Sequence, residues 1–277
     1  MSTKLLRDEV GCEQKGGQLS APFDIEDQKV FWGNAKPPST EELAWIKSFG
    51  RYPGFDPRAG KISERITLSE ANLKDATRII VVYHYLHRGR TMAQLPYWIE
   101  VDGATVGVLL YSLPRLSVPI CGIRPMNLLE LARMWLSPDV QGFNVQDSNG
   151  KSHALSIASC AVSQSYRRAR VDWFRKYPNL PDISAVVSWA DNVHHEGTIY
   201  RACNFAESGQ SGGSLHGGRH RPNGGRDKLN PDYAHTKTMF LYRFKTEGLS
   251  ESAKRKILAQ ANTGHRAKQL SICVTED

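Results

Sequence analysis

Side chains that can transfer protons are concentrated directly after one apolar run of the sequence. The run, residues 183–189, is rich in β-branched residues and predicts a buried strand, and the spacing of apolar residues after it predicts a short helix over 198–205. In an open α/β sheet, ligands usually bind at such a strand end. Carboxylates and imidazoles placed there can act as general acids and bases. The polar residues concerned are Asp191, His194, His195, Glu196 and Tyr200.

A purely structural explanation of these residues stays open. Asp191 could cap the short helix, and the histidines could be solvated loop residues. A second group, His84 and Tyr85 with Arg88 and Arg90, follows a predicted helix that begins within residues 68–72. Cations stabilise the C-terminal end of a helix, so His87, Arg88 and Arg90 could serve only that end. We take the segment around Asp191 as half of an active site.

Periodicity and turn signals predict the elements that position these residues. Asp-Gly at positions 102–103 is typical of a two-residue hairpin turn, and Ser39 with Glu42 is typical of a capping box at a helix start. The predicted elements are helices that begin at 39 and within 68–72, a hairpin over 98–111, strands over 128–136 and 236–244, a polar loop over 141–151, a long helix over 152–174 and a basic helix over 254–269.

The strand 128–136 carries two charged residues inside an apolar run. Strict alternation places Glu130 with Met134 on one face and Arg133 with Trp135 on the other. Buried charges are costly unless they are paired or line a cleft. We therefore expect Glu130 and Arg133 to be paired or to border a binding site.

The order helix, hairpin, strand, long helix, strand, short helix, strand is similar to that of the GNAT (Gcn5-related N-acetyltransferase) fold. The resemblance implies an α/β protein with a mixed central sheet flanked by helices. In that fold a Gln/Arg-x-x-Gly-x-Gly/Ala loop after the fourth strand holds the coenzyme A pyrophosphate at a helix N-terminus. Residues 140–154 read VQGFNVQDSNGKSHA and do not fit this motif, so a standard acyl-CoA site is not supported. The candidate donor-binding or cofactor-binding residues are Glu130, Arg133, Gly150, Lys151 and Ser152.

A closer resemblance covers roughly residues 83–244. The His84-Tyr85 pair, the ELAR sequence at 130–133 and the segment 190–205 resemble the phage Mom family. These GNAT-like proteins attach a carbamoylmethyl group to adenine N6 and protect phage DNA from restriction. The resemblance implies that His84 and Tyr85 match the family's proposed active-site and iron-associated pair, Asp191 its aspartate and Tyr200 its second tyrosine.

An imidazole, a carboxylate and two phenols are chemically consistent with that assignment. Asp191 would orient or deprotonate the substrate, His84 would carry a proton, and one of the phenols would donate a hydrogen bond to the developing charge. The alternative is a metal site at the same four residues, for which iron suits the N/O donor set better than zinc. The sequence contains no HxxH, HExxH or CxxC motif that would support a structural metal.

The charge of the chain predicts a polyanionic partner, with nucleic acid first and an anionic membrane second, and a merely basic surface is the alternative. The chain has 36 Lys and Arg against 28 Asp and Glu, a net charge of +8. The Gly-rich, basic segment 207–230 predicts a loop that becomes ordered on a phosphate backbone, although a plain surface loop is the alternative. Aromatic candidates for stacking on an extruded base are Tyr83, Tyr85, Trp98, Trp135 and Trp189. The predicted nucleic-acid contacts are Arg88, Arg90, Arg219, Arg221, Arg226 and Lys228.

Composition predicts a cytoplasmic protein, and the resemblance to a phage family implies that the cytoplasm is that of a bacterial host. The five cysteines are scattered, the N-terminus lacks a signal-peptide core, and no apolar run approaches the ~20 residues that span a bilayer. We expect an N-terminal arm over 1–38, a GNAT-like catalytic domain over 39–246 and a basic C-terminal helix and tail over 247–277.

Three functions are compatible with these observations. The first is a Mom-like transferase that modifies a DNA base, for which adenine N6 is the expected target. The second is a GNAT-like acyl or aminoacyl transferase acting on a hypermodified pyrimidine, a protein or a small amine. The third is a non-catalytic DNA-binding protein on a GNAT-like scaffold. The activated donor and the oligomeric state do not follow from the sequence.

Overall fold

A mixed seven-stranded sheet organises the chain. The computed structural model describes residues 38–84, 93–114, 118–146, 152–211, 236–246 and 248–262. The helices are α1 (Thr40–Ser48), α2 (Ile62–Arg65), α3 (Leu73–Tyr83), α4 (Ile157–Lys176), α5 (Thr198–Ala202) and α6 (Glu251–Asn262). The strands are β1 (Ile66–Glu70), β2 (Leu95–Val101), β3 (Ala104–Ser112), β4 (Leu128–Leu136), β5 (Asn144–Gln146), β6 (Ser152–Ala154), β7 (Ala185–Asp191), β8 (Ala206–Ser211) and β9 (Lys237–Arg243).

The strand order of the main sheet is β1-β2-β3-β4-β7-β9-β8. All neighbouring strands are antiparallel except β4 and β7, which are parallel and are joined through α4. The β2–β3 hairpin has the predicted two-residue turn, with Asp102 at φ 52° and Gly103 at φ 82°. Positive φ at both central positions is what the right-handed twist of such a hairpin requires, which explains the Asp-Gly pair.

Helices cover both faces of this sheet. The long helix α4 packs on one face, where its buried Tyr166 and Trp173 join a core that includes Leu109, Leu131 and Phe240. The other face carries α1 and α3, whose Ile46 and Ile80 pack with Val108 and Leu110 of β3. The predicted capping box of α1 is confirmed: the Ser39 hydroxyl accepts from Glu42 N, and the Glu42 carboxylate accepts from Ser39 N.

A β-bulge in β4 changes which side chains share a face. Leu110 is opposite Arg133 and Tyr111 is opposite Leu131, so Ala132 is the extra residue. Before the bulge Leu129 and Leu131 point towards α4, and after it Met134 and Leu136 belong to that same core. The strict alternation predicted for this strand is therefore wrong. Glu130 and Arg133 lie on one face, the face away from α4.

Other predicted elements have different bounds. Residues 68–70 belong to β1, which pairs with β2, and the helix that was predicted to begin there starts at Leu73 with Asn72 as its cap. The long helix starts at Ile157, not at Ser152, because a small β5–β6 hairpin precedes it. The short helix ends at Ala202. The first residues of the Gly-rich segment 207–230 belong to strand β8, and residues 212–230 lie outside the described residues.

Candidate functional site

The two parallel strands separate towards their carboxyl ends. The pairing of β4 with β7 runs only from Leu128↔Ala185 to Glu130↔Val187, although β4 continues to Leu136 and β7 to Asp191. Beyond Glu130 and Val187, the two strands therefore form no ladder hydrogen bonds with each other. An opening between the carboxyl ends of parallel strands is the usual ligand position in α/β sheets. This opening is the candidate active site.

A serine bridges the strands where the ladder ends. Ser188 is buried, and its Oγ donates a hydrogen bond of 2.9 Å to the main-chain oxygen of Leu131. The Ser188 hydroxyl is also close enough to the Tyr200 hydroxyl to lower the pKa of the phenol. Ser188 therefore lies between Tyr200 of α5 and the backbone of β4.

Tyr200 is held by aromatic packing as well. Its ring centroid is 5.1 Å from that of Phe240 and 5.8 Å from that of Phe205. Burial raises the pKa of Tyr200, and the hydrogen bond with Ser188 opposes this only in part. Tyr200 is therefore a neutral hydrogen-bond donor at physiological pH.

A glycine allows Tyr200 to approach the sheet so closely. Gly197 precedes α5 with φ 73°, and a Cβ there would lie 2.2 Å from Cζ of Phe240. Arg201 fixes the same helix, since its Nη1 donates to Glu196 O at 2.5 Å and its Nη2 lies 3.0 Å from Glu207 Oε2. Any larger residue at 197 would have to move α5 or the Phe240 ring.

Glu130 and Arg133 border the opening from β4. Both are half-buried, and Nη1 of Arg133 donates to Ala132 O at 2.5 Å. Their charges reach Tyr200: Arg133 lowers the pKa of the phenol, and Glu130 raises it. The expectation that these two charged residues line a cleft is consistent with this position.

Asp191 ends β7 on the other side of the sheet. Val187 and Trp189 belong to the core away from α4, whereas Val186 and Ala190 face α4. Asp191 continues the first of these sets, so it and Tyr200 lie on opposite faces. Its carboxylate is buried, accepts from Val193 N at 3.2 Å, and lies 4.0 Å from Lys237 Nζ.

The three predicted histidines lie in two places: His194 and His195 follow β7, and His84 ends α3. His194 and His195 are exposed, and their amides donate to Asp191 O at 2.9 and 2.8 Å. Loss of solvent and the neighbouring His194 lower the pKa of His195, while Asp191 opposes that shift. His84 is buried and ends α3, with its N–H donating to Ile80 O at 3.0 Å. Because α3 packs on the face away from α4, His84 and Asp191 belong to the same side of the sheet.

Several predicted site residues lie outside the described residues, and the roles given to them stay predictions. Ser152, by contrast, is exposed in β6, where it pairs with Gln146 and does not begin a helix. The N-terminus of α4 corresponds to the helix end that holds the pyrophosphate in the GNAT fold. Here it is capped from within the chain, since the Ser156 hydroxyl accepts from Ser159 N at 3.2 Å. The residues outside are Tyr85, Arg88, Arg90, Gly150, Lys151, Arg219, Arg221, Arg226 and Lys228.

The predicted iron site stays a prediction, because Tyr85 lies outside the described residues. Within the described part of the chain, no group of three or more His, Cys, Asp or Glu side chains is placed to hold a metal ion. The predicted set has only two residues of these types, His84 and Asp191, with Tyr85 and Tyr200 as the other two. No chemical step below uses iron.

Three of the five aromatic residues predicted to stack on a base pack against each other. The Tyr83 ring stacks on Trp135 at 4.7 Å and its hydroxyl donates to Ile46 O at 2.6 Å. Phe49 of α1 contacts both Trp98 and Trp135, at 5.2 and 5.8 Å. This cluster attaches α1 to the sheet. Trp189, which lies two residues before Asp191, is partly buried in a separate cluster with Val187 and Met239.

Ser188 is the functional residue that sequence reasoning missed. It is a single hydroxyl within the apolar strand AVVSWAD, which was interpreted only as a buried run. A lone polar residue at a core-facing position needs a hydrogen-bond partner. That requirement could have indicated, from the sequence alone, that Ser188 bridges two strands.

The mixed sheet, its parallel pair and the helices on both faces confirm the predicted GNAT-like α/β fold. The family follows from the sequence comparison: a model of the Mom protein family matches residues 65–226, more than half of the chain. The chain belongs to the Mom protein family. The matched segment contains His84, Glu130, Arg133, Asp191 and Tyr200.

Solved structures of acetyltransferases show only weak overall similarity. The ribosomal L7/L12 alpha-N-protein acetyltransferase RimL is 18% identical, with 66% of this chain and 96% of that chain covered and a TM-score of 0.37. The Salmonella typhimurium acetyltransferase that modifies the N-terminal serine of L7/L12 is 14% identical, with coverages of 67% and 98% and a TM-score of 0.38. A GNAT family acetyltransferase from Elizabethkingia anophelis with acetyl-CoA bound is 11% identical, with coverages of 65% and 99% and a TM-score of 0.35.

A search of curated proteins gave no match. At these low scores, the fold assignment rests on the topology of the sheet. In the described part of the chain, no helix has the length and apolar character needed to cross a membrane.

Proposed function

We propose that the protein is a DNA-modifying transferase that adds a small acyl-derived, carbamoylmethyl-type group to adenine N6 and so protects phage DNA from restriction. The observation that carries this proposal is the Mom-family match over residues 65–226, which includes the opening between β4 and β7. Family membership and the GNAT-like fold support a transferase. The choice of DNA and of adenine rests on the family resemblance.

The reaction in this proposal is a nucleophilic displacement by an amine. A bond forms between N6 and a carbon of the activated donor, the donor's leaving group departs with its electron pair, and N6 loses a proton. An exocyclic adenine amine is a poor nucleophile, so the enzyme must orient it and remove that proton. The developing negative charge on the donor must also be stabilised.

Side chains at the two faces of the opening can share these tasks. On one side, Asp191 would orient or deprotonate N6, with His84 carrying the proton away. On the other side, Tyr200 would donate to the negative charge that develops on the donor, since its raised pKa keeps the phenol protonated. Asp191 and Tyr200 reach the opening from opposite faces of the sheet, so the reacting atoms would meet between the separated ends of β4 and β7.

Glu130 and Arg133 are proposed to contact the donor from β4. They lie on the same face because of the bulge at Ala132, and both are half-buried beside the opening. Arg133 offers a guanidinium for an anionic donor group, and Glu130 offers an acceptor for an amide N–H. Neither role needs the phosphate loop of acyl-CoA enzymes, which the helix cap at Ser156 does not reproduce.

The proposed partner is duplex DNA with one base extruded. An enzyme that alkylates N6 must take the adenine out of the stack, and an aromatic side chain near the site would hold it. Trp189 is suited to that role by its position on β7 close to Asp191. The basic segment 207–230 and the net charge of +8 support backbone contacts.

The proposal is tested by expressing the wild type in a bacterial host, digesting the total DNA to nucleosides and measuring their masses. A new deoxyadenosine species is expected, heavier than deoxyadenosine by a carbamoylmethyl group less the hydrogen that it replaces. A mass shift on a pyrimidine would indicate another base as substrate. DNA without any new species, from a host that contains folded protein, would contradict the proposal.

A further inference from the structure

A cavity lies at the end of the sheet opposite to the opening between β4 and β7. It has a volume of about 380 Å³ and is lined from the amino ends of β4 and β7 and the carboxyl end of β9. This volume falls in the range of sites for small ligands. Nothing in the proposed transferase function accounts for it.

The cavity wall contains two arginines and no acid among its described lining residues. Arg124 and Arg243 are both exposed side chains of this wall. The nearby carboxylate of Asp182 is already paired with Lys254 at 3.0 Å. The local charge is therefore positive, and guanidinium groups match phosphate oxygens in geometry as well as charge.

The surrounding backbone holds this wall in place. Residues 120–123 form a tight turn in which the two isoleucines exchange main-chain hydrogen bonds of 3.0 and 2.8 Å. Nη2 of Arg243 donates to the oxygen of Cys121 in this turn at 2.6 Å. Asn127 is fixed by its own amide, which donates to Asp182 O at 2.8 Å, and by accepting from Ser184 N at 2.8 Å. A wall that is ordered before binding lowers the entropy cost of holding a ligand.

Apolar groups line the cavity beside the arginines. Ile123 and Phe244 contribute to its surface, and Phe244 is held in position by the guanidinium of Arg170, which lies 4.4 Å from the ring centroid. A phosphate alone would not need such a surface. A phosphate attached to a sugar and a base would use both the charged and the apolar part.

We propose that this cavity binds the phosphate group of a nucleotide, either free or within a polynucleotide. Arg124 and Arg243 contact the phosphate oxygens, and the Phe244 side of the cavity contacts the attached sugar or base. The site is separate from the candidate active site, because the two lie at opposite ends of β4 and β7. The inference does not depend on the proposed transferase activity, since its readout is phosphate affinity.

The test is calorimetric titration of the full chain with inorganic phosphate and with adenosine 5′-monophosphate at low ionic strength. The double variant Arg124→Gln/Arg243→Gln is compared with Arg58→Gln/Arg255→Gln, which removes the same charge from exposed positions elsewhere. We expect the first variant to bind both ligands at least tenfold more weakly than the wild type and the second to bind them normally. Equal affinities in the two variants, or no phosphate binding by the wild type, would overturn the proposal.

Loss of the fold must be distinguished from loss of the site. Arg124→Gln alone leaves the bond between Arg243 and Cys121 in place, so this variant keeps the wall intact and must still weaken phosphate binding. If it binds as the wild type does, the proposal is wrong. A parallel titration with a short DNA duplex identifies the source of the phosphate. A matching loss of duplex affinity assigns a polynucleotide, and an unchanged duplex affinity assigns a free nucleotide.

Discussion

Ser188 Oγ donates a hydrogen bond of 2.9 Å to the main-chain oxygen of Leu131, directly beyond the last parallel pair of β4 and β7. A side chain thereby replaces the backbone ladder at the point where the two strands separate. The same serine neighbours the Tyr200 hydroxyl, so the shape of the opening and the position of the phenol are coupled. The first prediction follows from this coupling.

Ser188→Ala should lower both stability and activity. The buried Leu131 oxygen loses its donor, which costs about 1–3 kcal/mol in the free energy of unfolding, and Tyr200 loses the neighbouring hydroxyl. Misplacement of the phenol should lower the modified fraction of host DNA on the order of tenfold at low expression. Urea denaturation and nucleoside mass spectrometry measure the two effects.

The matched control is Ser165→Ala. Ser165 is also buried and hydrogen-bonded to a tyrosine, Tyr111, at 2.6 Å, but it lies on α4. It should lose comparable stability and keep normal DNA modification. Equal activity losses in both serine variants would mean that stability alone explains the Ser188 effect.

Tyr200→Phe should reduce activity with little change in stability. The ring contacts with Phe205 and Phe240 remain, whereas the donor to developing charge is removed, a loss of about a hundredfold in rate by analogy with other oxyanion donors. Tyr242→Phe, which also removes a phenol that packs on Phe205, serves as the control. Normal modification by Tyr200→Phe would remove the phenol from the mechanism.

The raised pKa of Tyr200 also predicts an alkaline dependence of stability. Folding favours the protonated phenol, so its contribution is complete below the ordinary tyrosine pKa of 10.0 and is lost as the pH rises above that value. The difference in unfolding free energy between wild type and Tyr200→Phe should therefore change only above about pH 10. A difference that changes between pH 7 and 9 would contradict the assigned shift.

Gly197→Ala should destabilise the protein and displace α5. The left-handed backbone costs about 1–3 kcal/mol for a residue with a Cβ, and the overlap with Phe240 adds about 1–3 kcal/mol. Gly142→Ala is the control, because its φ of 79° is similar and no atom lies within 4 Å of its added Cβ. Thermal unfolding should show the larger loss at position 197. Equal losses would mean that backbone strain alone matters there.

Glu42 should produce an acid-sensitive attachment of α1. The carboxylate is bonded by Arg78 and by Ser39 N, which lower the pKa of Glu42 from 4.5 to about 2. A depressed carboxyl pKa contributes stability above pH 4.5 and loses it as the pH falls towards 2. Glu42→Gln should flatten the stability profile in that window.

The control for the acid profile is Glu64→Gln, which removes an exposed carboxylate paired with the exposed Lys61, 3.3 Å away. Exposed pairs of this kind contribute little. We expect its profile between pH 4.5 and 2 to follow that of the wild type. If Glu42→Gln and the wild type lose stability in parallel there, the Glu42–Arg78 pair does not anchor α1.

The sequence predicted an element correctly where its local backbone geometry requires a particular residue type. Asp102-Gly103 specified the hairpin, and Ser39 with Glu42 specified the start of α1. The bulge at Ala132 was not predictable, because a hydrophobic period assumes an unbroken strand and the extra residue is defined only by the pairing with β3. Residues 68–70 were assigned to the start of the helix that follows, and their pairing with β2, a long-range contact, is what places them in β1.

The sequence indicated which segment of the chain carries the candidate site, but it did not indicate how the side chains are arranged there. The sequence placed Asp191 and Tyr200 after one strand, yet the period of that strand also separates them onto two faces, through Ser188 and Ala190 on one side and Trp189 on the other. The separation of β4 from β7 depends on long-range pairing, which one sequence does not reveal. Ser188 acquires its role only at that separation.

The most direct test of the central claim compares the DNA of hosts that express wild type, Asp191→Asn or the control Asp56→Asn, an exposed turn residue. Thermal unfolding of each purified protein establishes that the fold is retained. We predict a new deoxyadenosine species in the DNA of hosts that express the wild type or the control, and none in hosts that express Asp191→Asn. A folded Asp191→Asn variant that modifies DNA as the wild type does would contradict the placement of the active site at the end of β7.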